Sequence, residues 1–203
     1  VHGVTLGDSR AFAGSFTHAG ADVMDFWREA VDDVDRPTSY ELDGKREPLV
    51  DTRIETYRDA AGRVLATDTV YYTHRGPMSR QGNEWVSMRW TVLEAGNELL
   101  GFFNGLQATT ATAFLDSLAA YYTAPAQNMI VADTAGTIAI RSTGRHPIRA
   151  GKARGLDLFD GRTRATDWMG FRAVSQYPRS GNPAPGYLAS ANLEPIDPAV
   201  VSM

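Results

Sequence analysis

Ala126 to Arg149 reads A-Q-N-M-I-V-A-D-T-A-G-T-I-A-I-R-S-T-G-R-H-P-I-R. Two short apolar runs, Asn128 to Ala132 and Thr137 to Arg141, flank Asp133-Thr134-Ala135-Gly136. That pattern predicts a tight antiparallel hairpin. Asn128 opens it, a polar amide among strand-like neighbours. A second amide, Asn192, stands in G-Y-L-A-S-A-N-L-E-P at Gly186 to Pro195. A side-chain amide donates a hydrogen bond without titrating, which is what an acyl-transfer site needs against a developing oxyanion. No serine or threonine here has the sequence setting of a nucleophile, so the chain reads as part of a catalyst.

Outward from the hairpin the pattern is mixed. Thr110 to Tyr122 is the clearest helix, with Phe114, Leu115, Leu118 and Tyr122 on one stripe and Pro125 as a stop. Asn97 to Asn104 predicts a short helix. Ala21 to Asp33 spaces Val23, Phe26, Trp27 and Ala30 at helical intervals, with Asp22 as cap. Val50 to Tyr57 alternates as a half-buried strand, and Val64 to Thr73 returns from a turn at Asp59 to Gly62. Trp85 to Val92 and Tyr187 to Ala191 complete the strands. Arg149 to Asp167 and Pro178 to Gly186 read as loops. Trp85, Trp90, Phe102 and Phe103 read as core. The series is α+β with antiparallel hairpins, not a run of β-α-β units.

The 203 residues are 43% hydrophobic and 22% charged, ordinary for a globular protein. A net charge of −4 with scattered basic residues argues against a nucleic-acid partner. The absence of cysteine excludes disulfides, thiolate metal sites and a cysteine nucleophile within this chain. No apolar run approaches the roughly 18 residues of a membrane helix, so no membrane partner is expected. The chain opens on Val1, and a processed or truncated amino terminus is the expectation. The residues leave the compartment open.

Six segments, in order, carry a resemblance. They are F-T-H-A-G-A-D-V-M-D-F at Phe16 to Phe26, T-H-R-G-P at Thr73 to Pro77 and A-Q-N-M-I-V-A-D-T-A-G-T-I at Ala126 to Ile138. G-R-H-P-I-R at Gly144 to Arg149, D-W-M-G at Asp167 to Gly170 and N-P-A-P-G-Y-L-A-S-A-N-L-E-P at Asn182 to Pro195 follow. Together the chain resembles an internal piece of the large (β) subunit of the penicillin acylase family, the amino-terminal-nucleophile (Ntn) amide hydrolases. Ala13, where the family has tryptophan, and Leu193, in place of the second asparagine of A-N-N, depart from the pattern.

The resemblance implies part of a four-layer αββα sandwich with antiparallel sheets. Residues 1–203 would form one segment of the β-subunit domain, without its nucleophile strand and carboxy-terminal portion. It implies hydrolysis of a linear amide, an N-acyl side chain on a β-lactam, a homoserine lactone or a similar amine. An amino-terminal serine outside this chain would attack, with its own α-amine as base. Asn192 would donate one oxyanion bond, and the backbone N–H of His18 the other. Phe26 and Trp27, following that loop, are the substrate-pocket candidates. No cofactor is required. Asp22, the Met24 carbonyl and Asp25 match positions that hold calcium in some members; without a metal, Asp22 caps a helix and Asp25 is solvated. The partners implied are a small amide and either the remaining segments of the parent acylase or a second copy, which would cover exposed sheet edges. Parents of this family are commonly periplasmic or secreted. The alternative is a non-catalytic, β-rich ligand-binding or structural module.

Overall fold

The computed structural model describes residues 7–8, 11–150 and 155–192. In chain order its first strands are β1 Gly7–Asp8, β2 Phe12–His18, β3 Met24–Glu29, β4 Ser39–Leu42 and β5 Lys45–Pro48. β6 Asp51–Arg58, β7 Val64–Thr73, β8 Gly76–Gln81 and β9 Glu84–Trp90 follow. After the helices α1 Glu98–Gly105 and α2 Ala111–Tyr121 come β10 Gln127–Asp133, β11 Ile138–Thr143 and β12 Pro147–Ile148. β13 Leu158–Asp160, β14 Gly170–Phe171 and β15 Arg179–Gly181 close the series. The chain clusters into two compact units.

The first unit takes residues 1–23, 94–148 and 170–203. Its five-stranded antiparallel sheet runs β1-β2-β10-β11-β15. One face packs on the helix pair through Phe12, Met129, Val131 and Ala139, against Phe102, Phe114, Leu115, Leu118 and Tyr122. The apolar stripe expected of α2 is this contact. Thr110 caps α2 by accepting from the Ala113 N–H at 3.2 Å. The D-T-A-G turn locks hairpin to helix: Asp133 Oδ1 accepts from the Ala135 and Thr137 N–H groups, and Oδ2 from the Ala111 N–H at 3.0 Å. Those bonds, Ala111's first, hold the Asp133 carboxyl below the usual carboxylate range.

The second unit takes residues 24–93 and 149–169. Its six-stranded sheet runs β13-β3-β9-β8-β7-β6, antiparallel except where β13 lies parallel to β3, and β4 pairs β5 beside it. Several sequence expectations need correction. Residues 24–29, expected in a helix, form strand β3, whose buried positions are Asp25, Trp27 and Glu29. Charged side chains occupy the inward face because each finds a partner there, and a pattern that places carboxylates outside inverts it. Asp25 is therefore buried rather than solvated, and Asp22 caps no helix. The hairpin of β6 and β7 forms as expected, but β6 is exposed along nearly its whole length rather than half-buried. In the first unit, residues 187–191, expected as a last strand, carry no ladder; the short strand nearby is β15. Of the four aromatics read as core, Trp85 and Phe102 are buried, Trp90 is half-buried and Phe103 is exposed. Leu193 lies outside the described residues. Among the described residues no helix is long and apolar enough to cross a membrane.

Candidate active site

The antiparallel pairing of β2 with β10 and β11 lines up side chains in rows. Thr17, Asn128 and Ser142 share one row, and His18, Gln127 and Thr143 the next. Alternation places the first row on the sheet face away from the helices, since Met129 and Phe16 point to the helix side. Residues 187–192, which have no backbone ladder, are tied to this row by side chains. Ser190 Oγ lies 2.5 Å from Thr17 Oγ1 and accepts from Asn128 Nδ2 at 3.3 Å. Two residues on, Asn192 Oδ1 accepts from the His18 backbone N–H at 3.0 Å. The two residues singled out as oxyanion donors, 174 positions apart, are thus brought into direct contact.

The details of that contact matter. His18 ends β2, where its N–H is no longer committed to the ladder. Its Nδ1 accepts from the Gly20 N–H at 3.1 Å, so the neutral ring carries its proton on Nε2. The Ala19 N–H is held by the Ala126 carbonyl at 3.1 Å, fixing the turn. Both His18 and Asn192 are exposed. The Asn192 backbone is left-handed, φ 56°, a region that asparagine tolerates better than most residues. The donor at His18 dictates that the amide oxygen, not its nitrogen, faces the N–H. Nδ2 has no hydrogen-bond partner among the described residues.

Ser142, at the end of that row, forms a serine–histidine pair that sequence reading missed. Ser142 Oγ is 3.3 Å from His146 Nε2, and the imidazole meets the Tyr177 ring edge-on at 4.9 Å. Burial, and then the charge of Arg172, push the His146 pKa down to about 4. Ser142 is 1% exposed and His146 7%. A hydroxyl so enclosed meets no substrate carbonyl, so this pair is interior packing.

The remaining candidates lie elsewhere. Trp27 is fully buried in the second unit: its Nε1 donates to Thr166 Oγ1 at 3.0 Å, Phe159 packs at 5.7 Å, and the Arg75 guanidinium lies 5.2 Å from its ring. It is core, not a pocket wall, while Phe26 is half-buried on the other side of β3. Asp25 Oδ2 accepts from Arg149 Nε at 2.6 Å and from Trp168 Nε1, and Oδ1 is buried with no partner among the described residues. One open carboxylate oxygen falls far short of the six to eight oxygens calcium takes. Among the described residues no group of three or more His, Asp or Glu could hold a metal, and Asp22 is an exposed residue of the first unit. Among the described residues no calcium cage forms.

The T-H-R-G-P turn proves to be the hub of the second unit. Arg75 donates to Asp167 Oδ1 at 2.7 Å, Glu29 Oε1 at 2.9 Å and the carbonyls of Gly161 and Thr163. His74 bridges Asp167 Oδ2 at 2.9 Å and the Tyr40 hydroxyl at 2.8 Å. Burial opposes ionisation of Asp167, but the bonds from His74 and Arg75 outweigh it and hold its carboxyl low. Burial dominates at Glu29 and pushes its carboxyl up. Gly76 turns the chain at φ 143°, where a Cβ would come within 2.3 Å of the Met88 carbonyl oxygen. No local spacing announces this network, because Glu29 and Asp167 lie 46 and 92 residues from Arg75.

The comparisons agree with this architecture. The penicillin amidase family model matches residues 1–202, and the chain belongs to that family. Among solved structures, the thermostable penicillin G acylase from Alcaligenes faecalis in orthorhombic form matches with a TM-score of 0.81 at 23% identity. That match covers 95% of this chain and 35% of the acylase chain. The fold is thus the α+β one of that acylase, with antiparallel sheets. No curated protein matches the chain significantly.

Proposed function

We propose that the protein carrying this chain hydrolyses linear amides by acyl transfer, and that His18 and Asn192 hold the oxyanion. The observation that carries the reading is the 3.0 Å contact between the His18 N–H and the Asn192 side chain at an exposed strand end. In the resting arrangement the amide oxygen satisfies that N–H. A substrate carbonyl oxygen takes its place, and Nδ2, free of protein partners among the described residues, supplies the second donor. Neither donor titrates, so the charge developing on the carbonyl oxygen meets preorganised dipoles at any working pH.

The nucleophile in this reading is an amino-terminal serine supplied outside these residues. Its α-amine accepts the hydroxyl proton, the oxygen attacks the carbonyl carbon, and the tetrahedral intermediate collapses with loss of the amine, which takes the proton. Water then attacks the acyl-enzyme by the same route and releases the acid. The substrate class is an N-acylated amine, a β-lactam side chain or an N-acyl homoserine lactone. The resting bond from His18 to Asn192 also suits a non-catalytic binding module, in which the amide merely closes a strand end.

Asn192→Gly separates the two readings. Glycine keeps the left-handed backbone without strain and removes only the amide. Loss of one such donor costs about 10²–10³ in kcat. The expected outcome is that drop in release of nitroaniline from acyl-anilides by the full protein, with KM little changed and the melting temperature held. Undiminished turnover, or none in the unmutated protein, sinks the oxyanion assignment.

A further inference from the structure

The β6–β7 hairpin runs past its own sheet. β7 pairs β8 only through Tyr72 and Thr73, so beyond them the hairpin is a two-stranded ribbon. β6 is the edge strand of that sheet. Ile54 is 73% exposed and Tyr57 54%, with Val64 and Leu65 also exposed at the ribbon's end. An edge strand with exposed apolar side chains is a template for pairing with another strand.

The ladder's phase fixes which groups face outward. The Thr52 N–H turns to Asp51 Oδ1 at 2.8 Å and the Thr69 N–H to Asp68 Oδ1 at 2.8 Å, so neither crosses the ribbon. Ile54 stands opposite Thr69. Alternation then puts the backbone groups of Thr52, Ile54 and Thr56 on the open edge. The side chains of Arg53 and Glu55 lie together on one face, where Glu55 directly opposes Asp68. Like charges in directly opposed positions repel. Neither carboxylate has an ion pair among the described residues, while Arg53 leans on Asp51 at 2.6 Å.

We propose that a second copy of the chain pairs antiparallel with β6 about a two-fold axis through Ile54, joining two ribbons into one four-stranded sheet. In that register Ile54 meets Ile54 of the partner subunit and exchanges both backbone bonds with it. Thr52 meets the partner's Thr56, its N–H leaving Asp51 for a backbone carbonyl. Arg53 meets the partner's Glu55, and Glu55 the partner's Arg53, which sets a cation beside the Glu55–Asp68 pair. The two-fold allows only shifts of two residues, because a one-residue slip puts opposed side chains on opposite faces. Sliding by two in either direction sets Arg53 against the partner's Arg53, or Glu55 against the partner's Glu55. Charge thus selects the register that also seats the apolar residue on the axis.

Sedimentation of the full protein over a concentration series tests this independently of turnover. The expected result is a monomer–dimer equilibrium that Arg53→Glu and Glu55→Arg each weaken about tenfold or more and that the double swap restores. Both positions are exposed, so unchanged melting temperatures verify that the variants fold. Ile54→Cys is expected to give a disulfide-linked dimer on mild oxidation, against a background of no other cysteine in these residues. A monomer at every concentration overturns the proposal. So does a dimer indifferent to the charge swap, or amides of Thr52, Ile54 and Thr56 protected from exchange in the monomer, which would mean that another segment covers the edge.

Discussion

Ser190 touches no reacting atom in the proposed site, yet its hydroxyl joins residues 187–192 to both β2 and β10 through Thr17 and Asn128. It is a positioning residue for Asn192. Ser190→Ala is expected to lower kcat of the full protein about tenfold, with Ser190→Thr recovering part of the loss, because a displacement of about 1 Å at a donor costs up to about 10²-fold. A purely structural role would move the melting temperature and leave kcat alone. His146 carries a separate prediction. Its folded pKa, about 4, lies below the ordinary 6.5, so the unfolded chain binds the extra proton first as pH falls. Its neutral burial is therefore tolerated above about pH 6.5 and costs stability progressively down to about pH 4, by as much as about 3 kcal/mol. Urea midpoints across that range should fall in the unmutated protein and fall less in His146→Gln.

At the scale of elements, the turn between β7 and β8 shows how one glycine permits a network. Gly76→Ala would place a methyl within 2.3 Å of the Met88 carbonyl oxygen and force a residue with a Cβ to φ 143°. A loss of about 2–4 kcal/mol is expected, read as a lower denaturant midpoint with an unchanged m-value. Strand β3 shows the opposite lesson. Its sequence M-D-F-W-R-E alternates, but the inward positions carry Asp25 and Glu29 beside Trp27. Hydropathy reads the acids as outward and shifts the period toward a helix. Only Arg149 and Trp168 at Asp25, and Arg75 and Ser87 at Glu29, make the strand's buried face intelligible.

Over the whole molecule, the two units rest on different physics. The first has an apolar core between sheet and helices, the second a buried ion network around Arg75, whose side chain is 1% exposed. Arg75→Met removes the cation shared by Glu29 and Asp167, leaving Glu29 only its Ser87 bond and Asp167 only its His74 bond. It is expected to destabilise the protein by about 3–5 kcal/mol, while Glu29→Leu added to it recovers part of that loss by removing one charge left without its cation. Thermal denaturation of the two variants side by side checks the order; equal losses would show that Glu29 is not held by Arg75.

The residues alone determined the hairpin of β10 and β11, the helix α2 with its cap and stripe, and the ribbon of β6 and β7. Each of these depends on neighbours a few residues away, and local periodicity or turn chemistry records such information. Tertiary structure alone decided that residues 24–29 are a strand, that Trp27 is core, that Ser190 holds the Asn192 segment and that Arg75 gathers Glu29 and Asp167. Those outcomes turn on buried polar groups, whose cost is offset only by a particular partner far away in sequence, and a one-dimensional pattern contains no term for that partner.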